Sequence, residues 1–395
     1  MSTRAVAPAA ALFVAALGLS LTGCASRAAL VIHAASPELR QELAVLAERY
    51  TRTAGLQVVP AEAPVAGAAD IEIGWAFPVE RAAQAAQAAQ ASPGAPTARP
   101  LSDQTLRRSG YGTALAFERW ARGDGGWRAL PLLWDAWGVA GPAGSPRGAG
   151  AARTFTWKDR DLLVRTGAGV VAPLGEPGVR QAWYWFSSGA LPGDGTVQSI
   201  LAGGPPRSSE PASGYFKSFA ASGRDPLLSP DHGNTRLSAP DVENFARNGG
   251  ADRLLGSYRS LRRISAVGAA STIPREFTAI VYGAPEGYAM PVSVLVGRVT
   301  GSGAAAERAW QFLLWLASTE NQKALSNASG YMAANFAAPN LDPDAAEARQ
   351  AAVKAARVVF VDPEPRADSA AASWDSLLER VLARPADWQH AVTEK

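Results

Sequence analysis

The chain has 395 residues, of which 47% are hydrophobic and 18% are charged, and its formal net charge is +3. A chain of this length is long for one compact core, so we expect two lobes that each bury a core of their own. The mild positive charge comes without a basic cluster or an RNA-binding motif, so the sequence gives no indication of nucleic-acid binding.

The N-terminus has the pattern of a secretory signal. Arg4 precedes an apolar run over residues 5–19, and the sequence LTGC follows, ending at Cys24. A short basic region, a hydrophobic segment and small residues before a cleavage site are typical of such signals. LTGC resembles the bacterial lipobox, which implies that residues 1–23 are removed and that Cys24 carries the lipid. A plain transmembrane anchor is the alternative, for which the run is barely long enough.

Cys24 is the only cysteine in the chain, so no intramolecular disulfide can form. Residues 29–59 then predict a β-α-β unit. An apolar strand at 29–34 leads into a helix with Pro37 at its first position, Gly55 ends that helix, and 56–59 is a second strand. Such a unit predicts parallel strands joined by a right-handed crossover.

A third strand at 71–75 completes the opening of an open α/β sheet. In such sheets, ligands gather at the carboxyl ends of the strands. His33 and Trp75 lie at those ends, so both are candidates for contact with a ligand.

Residues 103–120 predict one helix with an aromatic face, and residues 125–141 predict a strand. The Gly- and Pro-rich stretch 141–152 predicts a crossing to the second lobe. Beyond it we expect an aromatic helix within 170–189, an amphipathic helix over 251–264 and a returning strand at 277–287.

The stretch 282–335 has the clearest pattern in the chain. Residues 291–299 predict an apolar strand, and residues 304–316 predict a helix with little polar face, which indicates burial. A second helix is predicted to begin at Thr319, with Gln322 as the partner in a capping box and Gly330 as the C-terminal cap.

This order of elements, followed by the sequence GYMAAN, resembles the C-terminal part of ABC-transporter solute-binding proteins of the extracellular family 1, or sugar type. The family commonly has proline where this chain has Ala333. The matching residues are Trp310, Phe312, Leu316, Ser318, Glu320, Gln322, Leu325, Gly330, Tyr331 and Asn335.

Two further segments support the same resemblance. Residues 125–141 resemble the family segment that runs along a strand toward the hinge between the lobes and lines the cleft, and residues 154–163 resemble the opening of the second lobe. The residues of the first segment that match are Trp127, Leu130, Pro131, Trp134 and Asp135.

The resemblance implies an α/β chain with the two-lobed periplasmic-binding-protein fold of type II, in which each lobe is an open, mostly parallel sheet with flanking helices. Lobe 1 is expected to comprise residues 24–140 and 288–340. Lobe 2 is expected to comprise 141–287 and 341–395, with the C-terminal helices packing across both lobes. The implied protein is a monomer that is lipid-anchored outside the cytoplasm, needs no cofactor and docks on an ABC permease.

The ligand implied by the resemblance is a sugar or oligosaccharide. The chain has 12 Trp, 8 Tyr and 12 Phe, and aromatic rings can cover the C–H faces of sugars while polar side chains bind the hydroxyl groups. For each aromatic residue the alternative is a simple place in the core. The candidate binding residues are His33, Trp75, Trp134, Asp135, Trp137, Trp183, Trp185, Tyr282, Glu286 and Tyr288.

Other functions remain open at this point. Arg128 and Arg275 are compatible with an anionic ligand, and the fold could serve sensing or adhesion in an envelope lipoprotein. The sequence contains no HExxH, paired CxxC, Walker A or GxSxG motif. We therefore expect a binding protein and not an enzyme or a metal protein, with a hydrolase built from scattered residues as the remaining catalytic alternative.

Overall fold

The computed structural model describes residues 29–34, 37–61, 69–77, 100–123, 126–141, 170–188, 211–223, 254–261, 279–282, 290–338, 343–355, 358–367 and 369–393. The predicted signal and Cys24 lie outside these residues. Across the described ranges, no helix is both long enough and apolar enough to span a membrane.

The described chain is mixed α/β. Its strands are β1 (Leu30–Ala34), β2 (Val58–Ala61), β3 (Ile71–Trp75), β4 (Arg122–Gly123), β5 (Gly126–Trp127), β6 (Ala129–Gly141), β7 (Leu254–Ser257), β8 (Ala279–Tyr282), β9 (Met290–Val299), β10 (Met332–Ala333) and β11 (Val358–Phe360). Its helices are α1 (Pro37–Ala54), α2 (Asp103–Arg108), α3 (Leu115–Ala121), α4 (Pro177–Ser188), α5 (Pro211–Ser222), α6 (Gly303–Leu316), α7 (Thr319–Ser329), α8 (Pro343–Lys354), α9 (Ala370–Ala383) and α10 (Trp388–Thr393), with a 3-10 turn at Pro385–Asp387 before α10.

One sheet joins most of the strands in the order β10-β6-β9-β3-β1-β2. β1 pairs in parallel with both β2 and β3, which confirms the predicted β-α-β unit and third strand. β9 runs antiparallel to β3 and β6. β11, which the sequence placed only in a connection between helices, pairs in parallel with β9.

β6 is the longest strand of the described chain, with 13 residues. Its residues 129–136 pair with β9, and its residues 137–141 pair with β7 and β8. All residues from 131 to 139 are buried, as expected of a strand that is covered on both faces. The domain boundary predicted at residue 140 falls at the end of this strand, after the pairing with β7 has begun.

The buried side chains of the described residues form three hydrophobic cores. The first core packs α1, α6 and α7 on the β1–β3 part of the sheet and includes Leu43, Ile73, Leu133, Phe312 and Leu313. The second core lies among α4, α5, α9 and α10 and includes Trp137, Trp183, Phe216 and Trp374. The third core includes Phe117, Trp134, Val294 and Phe360.

Two predicted helices differ from the structure. The helix predicted over 103–120 is two helices, α2 and α3, because Gly110 has a φ of 72° and ends the first of them. The helix predicted over 251–264 is wrong in its first half, where residues 254–257 form β7. Leu254 and Leu255 are buried and pair with β6, so tertiary pairing outweighs the helical pattern of the segment.

Gln322 has a different role from the predicted one. α7 begins at Thr319 as expected and ends at Gly330, whose φ is 76°, but Gln322 forms no capping box. Its side-chain oxygen accepts hydrogen bonds from the backbone N–H groups of Ala334 (3.1 Å) and Asn335 (3.3 Å). The buried amide therefore fixes the GYMAAN segment against α7.

We expect Gly297→Ala to destabilise the fold by about 1–3 kcal/mol, because overpacking a filled core costs this much. A Cβ at Gly297 would overlap a methyl group of Leu313, which is fully buried on α6. Chemical denaturation measures the change. Gly74→Ala on the neighbouring strand is the matched control, because a Cβ there meets no atom within 4 Å, and it should leave the stability nearly unchanged. Equal losses for the two variants would contradict the packing described for β9 and α6.

A buried ion pair connects α4 to α9. The guanidinium of Arg180 donates two hydrogen bonds to the carboxylate of Asp375, one of them from Nε to Oδ1 at 3.2 Å. Both side chains are less than 10% exposed. Because each charge has lost most of its water, the pair is stable only while both partners are present.

We expect Asp375→Asn to lower the free energy of unfolding by about 3–5 kcal/mol, since it leaves the Arg180 charge buried without its counter-charge. Urea denaturation checks this. Glu48→Gln, which breaks the exposed pair of Glu48 with Arg52, is the control and should have little effect. A loss for Asp375→Asn no larger than that of the control would contradict a buried pair.

Candidate functional site

A band of polar residues separates the first core from the second. Successive residues of a strand point to opposite faces, so Leu133, Asp135 and Trp137 share one face of β6. Leu133 belongs to the first core and Trp137 to the second. Asp135 lies between them, and we call the polar residues around it the polar belt. The polar belt consists of Asp135, Ser257, Arg259, Ser293 and Tyr331.

Asp135 is the centre of the polar belt and is only 3% exposed. The backbone N–H of Arg259 donates to its Oδ1 at 3.3 Å, and the hydroxyl of Ser257 lies within bonding reach of the same carboxyl. Ser293 of β9 is the residue directly opposite in the sheet. The contacts therefore come from β9 and from the segment that begins with β7.

Arg259 connects Asp135 to the aromatic side of the belt. Its Nη1 donates to the hydroxyl of Tyr331 at 2.9 Å, and its guanidinium carbon lies 4.6 Å from the centre of the Tyr331 ring. The ring of Tyr331 in turn packs edge-on against Trp75, with 5.2 Å between the ring centres. Trp75, at the carboxyl end of β3, is thus joined through two residues to Asp135 on β6.

Two indole groups at the edges of the belt differ in their hydrogen bonding. The N–H of Trp137 donates to the Ser293 hydroxyl at 3.0 Å. The N–H of Trp75 is buried and has no hydrogen-bond partner among the described residues. A buried donor without an acceptor costs about 1–3 kcal/mol. A ligand oxygen that accepted a hydrogen bond from the Trp75 N–H would therefore bind more favourably.

Burial determines the ionisation of the belt carboxyl. It raises the pKa of Asp135 to about 7, and the lowering effects of the Ser257 hydroxyl, the Arg259 backbone N–H and the Arg259 charge are smaller. A carboxyl with this pKa can both donate and accept a hydrogen bond near neutral pH. Together with a half-buried guanidinium, this gives the belt donors and acceptors suited to hydroxyl groups.

The structure brings some of the predicted binding residues together and separates others. Trp75 and Asp135 meet at the polar belt, and Trp137 borders it. Trp134 points to the opposite face, where it packs on Phe117 in the third core and its N–H donates to the carbonyl of Ala333 at 3.2 Å. Its position at the centre of that core fits the alternative of a packing role.

Trp183 and Trp185 lie on α4 within the second core and are 0% and 4% exposed. His33 is buried at the carboxyl end of β1, and within the part of the chain that the structure describes its Nδ1 has no hydrogen-bond partner. The side chain of Tyr282 on β8 lies outside the described part of the structure, as do Glu286, Tyr288 and Arg275. Arg128 is exposed at the start of β6, away from the polar belt.

Sequence reasoning missed Arg259 and Ser257 as site residues and gave Tyr331 only a place in the family pattern. Arg259 and Ser257 lie within the segment 251–264 that was predicted as helix, and the pairing of β7 with β6 places them beside Asp135. Tyr331 could have been found, because it directly follows the glycine cap of α7 and precedes a buried segment.

No protein-family model matches the chain, and no curated protein matches it. Among the described residues, no group of three or more His, Cys, Asp or Glu side chains could hold a metal ion. The function is therefore inferred from the sequence pattern and the geometry of the polar belt.

We expect Tyr331→Phe to lower the free energy of unfolding by about 1–2 kcal/mol, because a hydrogen bond from the Arg259 guanidinium is lost while the ring contacts remain. Thermal or chemical denaturation measures the change. Tyr50→Phe, in a tyrosine of the first core whose ring packs on Phe312, is the matched control and should change stability by less than about 0.5 kcal/mol. A Tyr331 variant as stable as the control would show that the Arg259 contact is unimportant in solution.

Proposed function

We propose that this chain is an extracytoplasmic solute-binding protein of an ABC importer, anchored to a membrane through lipid on Cys24, with a two-lobed fold of the periplasmic-binding-protein type. The solute is a sugar or oligosaccharide, bound at the polar belt. The observation that carries the proposal is the position of this belt, at the place where β6 passes from the first core to the second.

The course of β6 supports two lobes joined by a hinge. A single strand contributes Leu133 to one core and Trp137 to another, and its pairing partners change from β9 to β7 and β8 between them. A strand shared in this way can bend at the change of partners while each core stays packed. Hinge motions of this kind close two domains around a ligand.

The composition of the belt supports a hydroxylated solute. Asp135 and Arg259 offer an acceptor and donors, and Trp75 offers a buried N–H beside the ring of Tyr331. Aromatic rings with a few convergent polar groups are typical of sites for small polar ligands. The belt residues lie on both sides of the point where the pairing of β6 changes from β9 to β7 and β8. A solute that binds residues on both sides therefore favours the closed form.

The order of elements in the C-terminal part supports the same conclusion. β9, α6, α7 and β10 follow one another as the family pattern requires, and Gln322 and Asn335 hold the last segment in place. The Nδ2 of Asn335 donates to the carbonyl of Ala317 at 2.9 Å, and its Oδ1 accepts from the N–H of Gly112 at 3.2 Å. Gln322 and Asn335, two of the residues that carry the family resemblance, thus hold this segment in place through buried hydrogen bonds.

Thermal shift and intrinsic tryptophan fluorescence of the purified protein against sugars, oligosaccharides, amino acids and anions test the proposal. A solute that binds only the folded protein raises its melting temperature in a saturable way, and we expect this from one class of sugars. The Trp75→Phe variant should weaken binding by about tenfold, the equivalent of about 1.4 kcal/mol for a lost hydrogen bond.

Trp374→Phe is the matched control for that variant. The N–H of Trp374 is likewise buried with no hydrogen-bond partner in the described ranges, but it lies in the second core and not at the belt. We expect this variant to change stability and leave solute affinity unchanged. A well-folded protein that responds to no solute in the panel would contradict transport of a sugar and favour an envelope lipoprotein for sensing or adhesion.

A further inference from the structure

A surface rich in arginine lies where α2, α3 and the start of β6 come together. Residues 100–128 contain five arginines and three acidic residues, and so carry two of the three net positive charges of the chain. Arg298 on β9 adds a sixth arginine from outside this stretch. We call this region the arginine surface. It consists of the exposed Arg107, Arg108, Arg119 and Arg128 and the half-buried Arg122 and Arg298.

The contacts of Trp127 hold this region together. Trp127 and Leu101 exchange backbone hydrogen bonds of 2.9 and 3.0 Å, and the indole N–H of Trp127 donates to Oδ1 of Asp103 at 2.8 Å. The ring of Tyr111, just after α2, packs edge-on against the indole, with 6.3 Å between the ring centres. Both ends of α2 are thus fixed beside β5. Because α2 has six residues and a helix rises about 1.5 Å per residue, the arginines of its last turn lie within about 10 Å of Asp103.

The other arginines lie against the same elements. The guanidinium carbon of Arg122 is 5.8 Å from the centre of the Trp127 ring. The guanidinium of Arg128 lies so close over Gly123 that a Cβ there would overlap it. Arg298 on β9 is in register with the residue that follows Arg128. These contacts bring arginines from α2, β4, β6 and β9 to one surface.

Acidic side chains neutralise only part of this charge. Asp103 is bound to Arg122, and Glu72 on the neighbouring strand β3 binds Arg366 at 3.3 Å. Among the described residues, neither the arginines in the last turn of α2 nor Arg128 forms an ion pair. The arginine surface therefore presents a net positive charge to the solvent.

The described chain begins at the same end of the sheet as the arginine surface. β1 and β3 are parallel, and both β3 and β6 run antiparallel to β9. The starts of β1, β3 and β6 therefore lie together at the end of β9. With about 4.8 Å between neighbouring strands, β1 is about 15 Å from β6. Cys24 lies six residues before Leu30, and a chain of this length spans at most about 20 Å. A lipid on Cys24 therefore holds the arginine surface near the membrane.

We propose that the arginine surface binds the anionic headgroups of lipids in the membrane that holds Cys24. A lipid tether limits the distance of the protein from the bilayer but leaves its orientation free. Each arginine near an anionic bilayer strengthens attachment about fivefold, so the arginine surface turns this end of the sheet toward the headgroups. The inference rests on the lipid attachment proposed above and is independent of the solute.

The test is time-resolved energy transfer from the lipidated full-length protein to labelled headgroups in vesicles. The vesicles contain either neutral phosphatidylcholine alone or its mixture with anionic phosphatidylglycerol. The donor is placed on Gln104→Cys of α2 or, in a second protein, on Ser218→Cys of α5 beside the second core, both of which are exposed positions. A lipid on the Cys24 sulfur leaves the introduced cysteine as the one reactive thiol, because the chain has no other cysteine.

We expect the donor at position 104 to lie close to the bilayer in most molecules on anionic vesicles at about 0.1 M salt, and the donor at position 218 to lie far from it. Neutral vesicles, or about 0.5 M salt, where the Debye length is about 4 Å, should remove the difference between the two positions. Combined Arg107→Gln and Arg128→Gln should lower the ratio of close to distant donors at position 104 about 25-fold, at about fivefold for each arginine.

Lys217→Gln combined with Arg384→Gln is the matched control, because it removes two exposed positive charges from α5 and the end of α9. It should leave the ratio at position 104 unchanged. Protein that stays on the vesicles at about 0.5 M salt, but whose ratio is the same on neutral and anionic vesicles, or falls equally in both double variants, would overturn the arginine surface and leave the lipid attachment intact. Protein that leaves the vesicles at this salt concentration would contradict both.

Discussion

The structure depends on one constraint: β6 must satisfy two sets of neighbours along its length. Its first eight residues pair with β9 and its last five with β7 and β8. Because every residue between 131 and 139 is buried, the strand has no exposed edge or face along this stretch. One continuous strand therefore contributes side chains to both the first and the second core.

The polar belt is the consequence of that constraint. On the face of β6 that carries Leu133 of the first core and Trp137 of the second, the residue between them is the buried Asp135. Donors from Ser257 and the Arg259 backbone offset part of the cost of burying it. The Arg259 contact with Tyr331 then extends the polar region to Trp75. A solute that formed hydrogen bonds with these polar residues would contact the parts of the chain on both sides of the polar belt.

Much of the fold could be predicted from the sequence, because its elements have strong local patterns. β3 was predicted with its observed bounds, α6 and α7 begin within a residue of the predicted positions, and the cap at Gly330 has the left-handed conformation that favours glycine. These segments combine apolar periodicity with clear start and stop signals, so their local sequence is sufficient to predict them.

The site was predicted less completely, for physical reasons. A tryptophan has the same sequence pattern in a core and in a cleft, so Trp134 and Trp183 could not be told from Trp75. Arg259 lies 124 residues from Asp135 in the chain, and its contact depends on β7 pairing with β6. That pairing overrides a helical pattern, and no local signal in residues 251–264 indicates it.

Hydrogen-exchange mass spectrometry, with and without the solute that raises the melting temperature most, tests whether a solute binds at the polar belt. We expect increased protection in peptides covering 126–141, 254–261 and 326–335, which contain Asp135, Ser257, Arg259 and Tyr331 of the polar belt, and unchanged protection in α1. Protection that increases elsewhere while these three peptides stay unchanged would contradict a solute site at the polar belt.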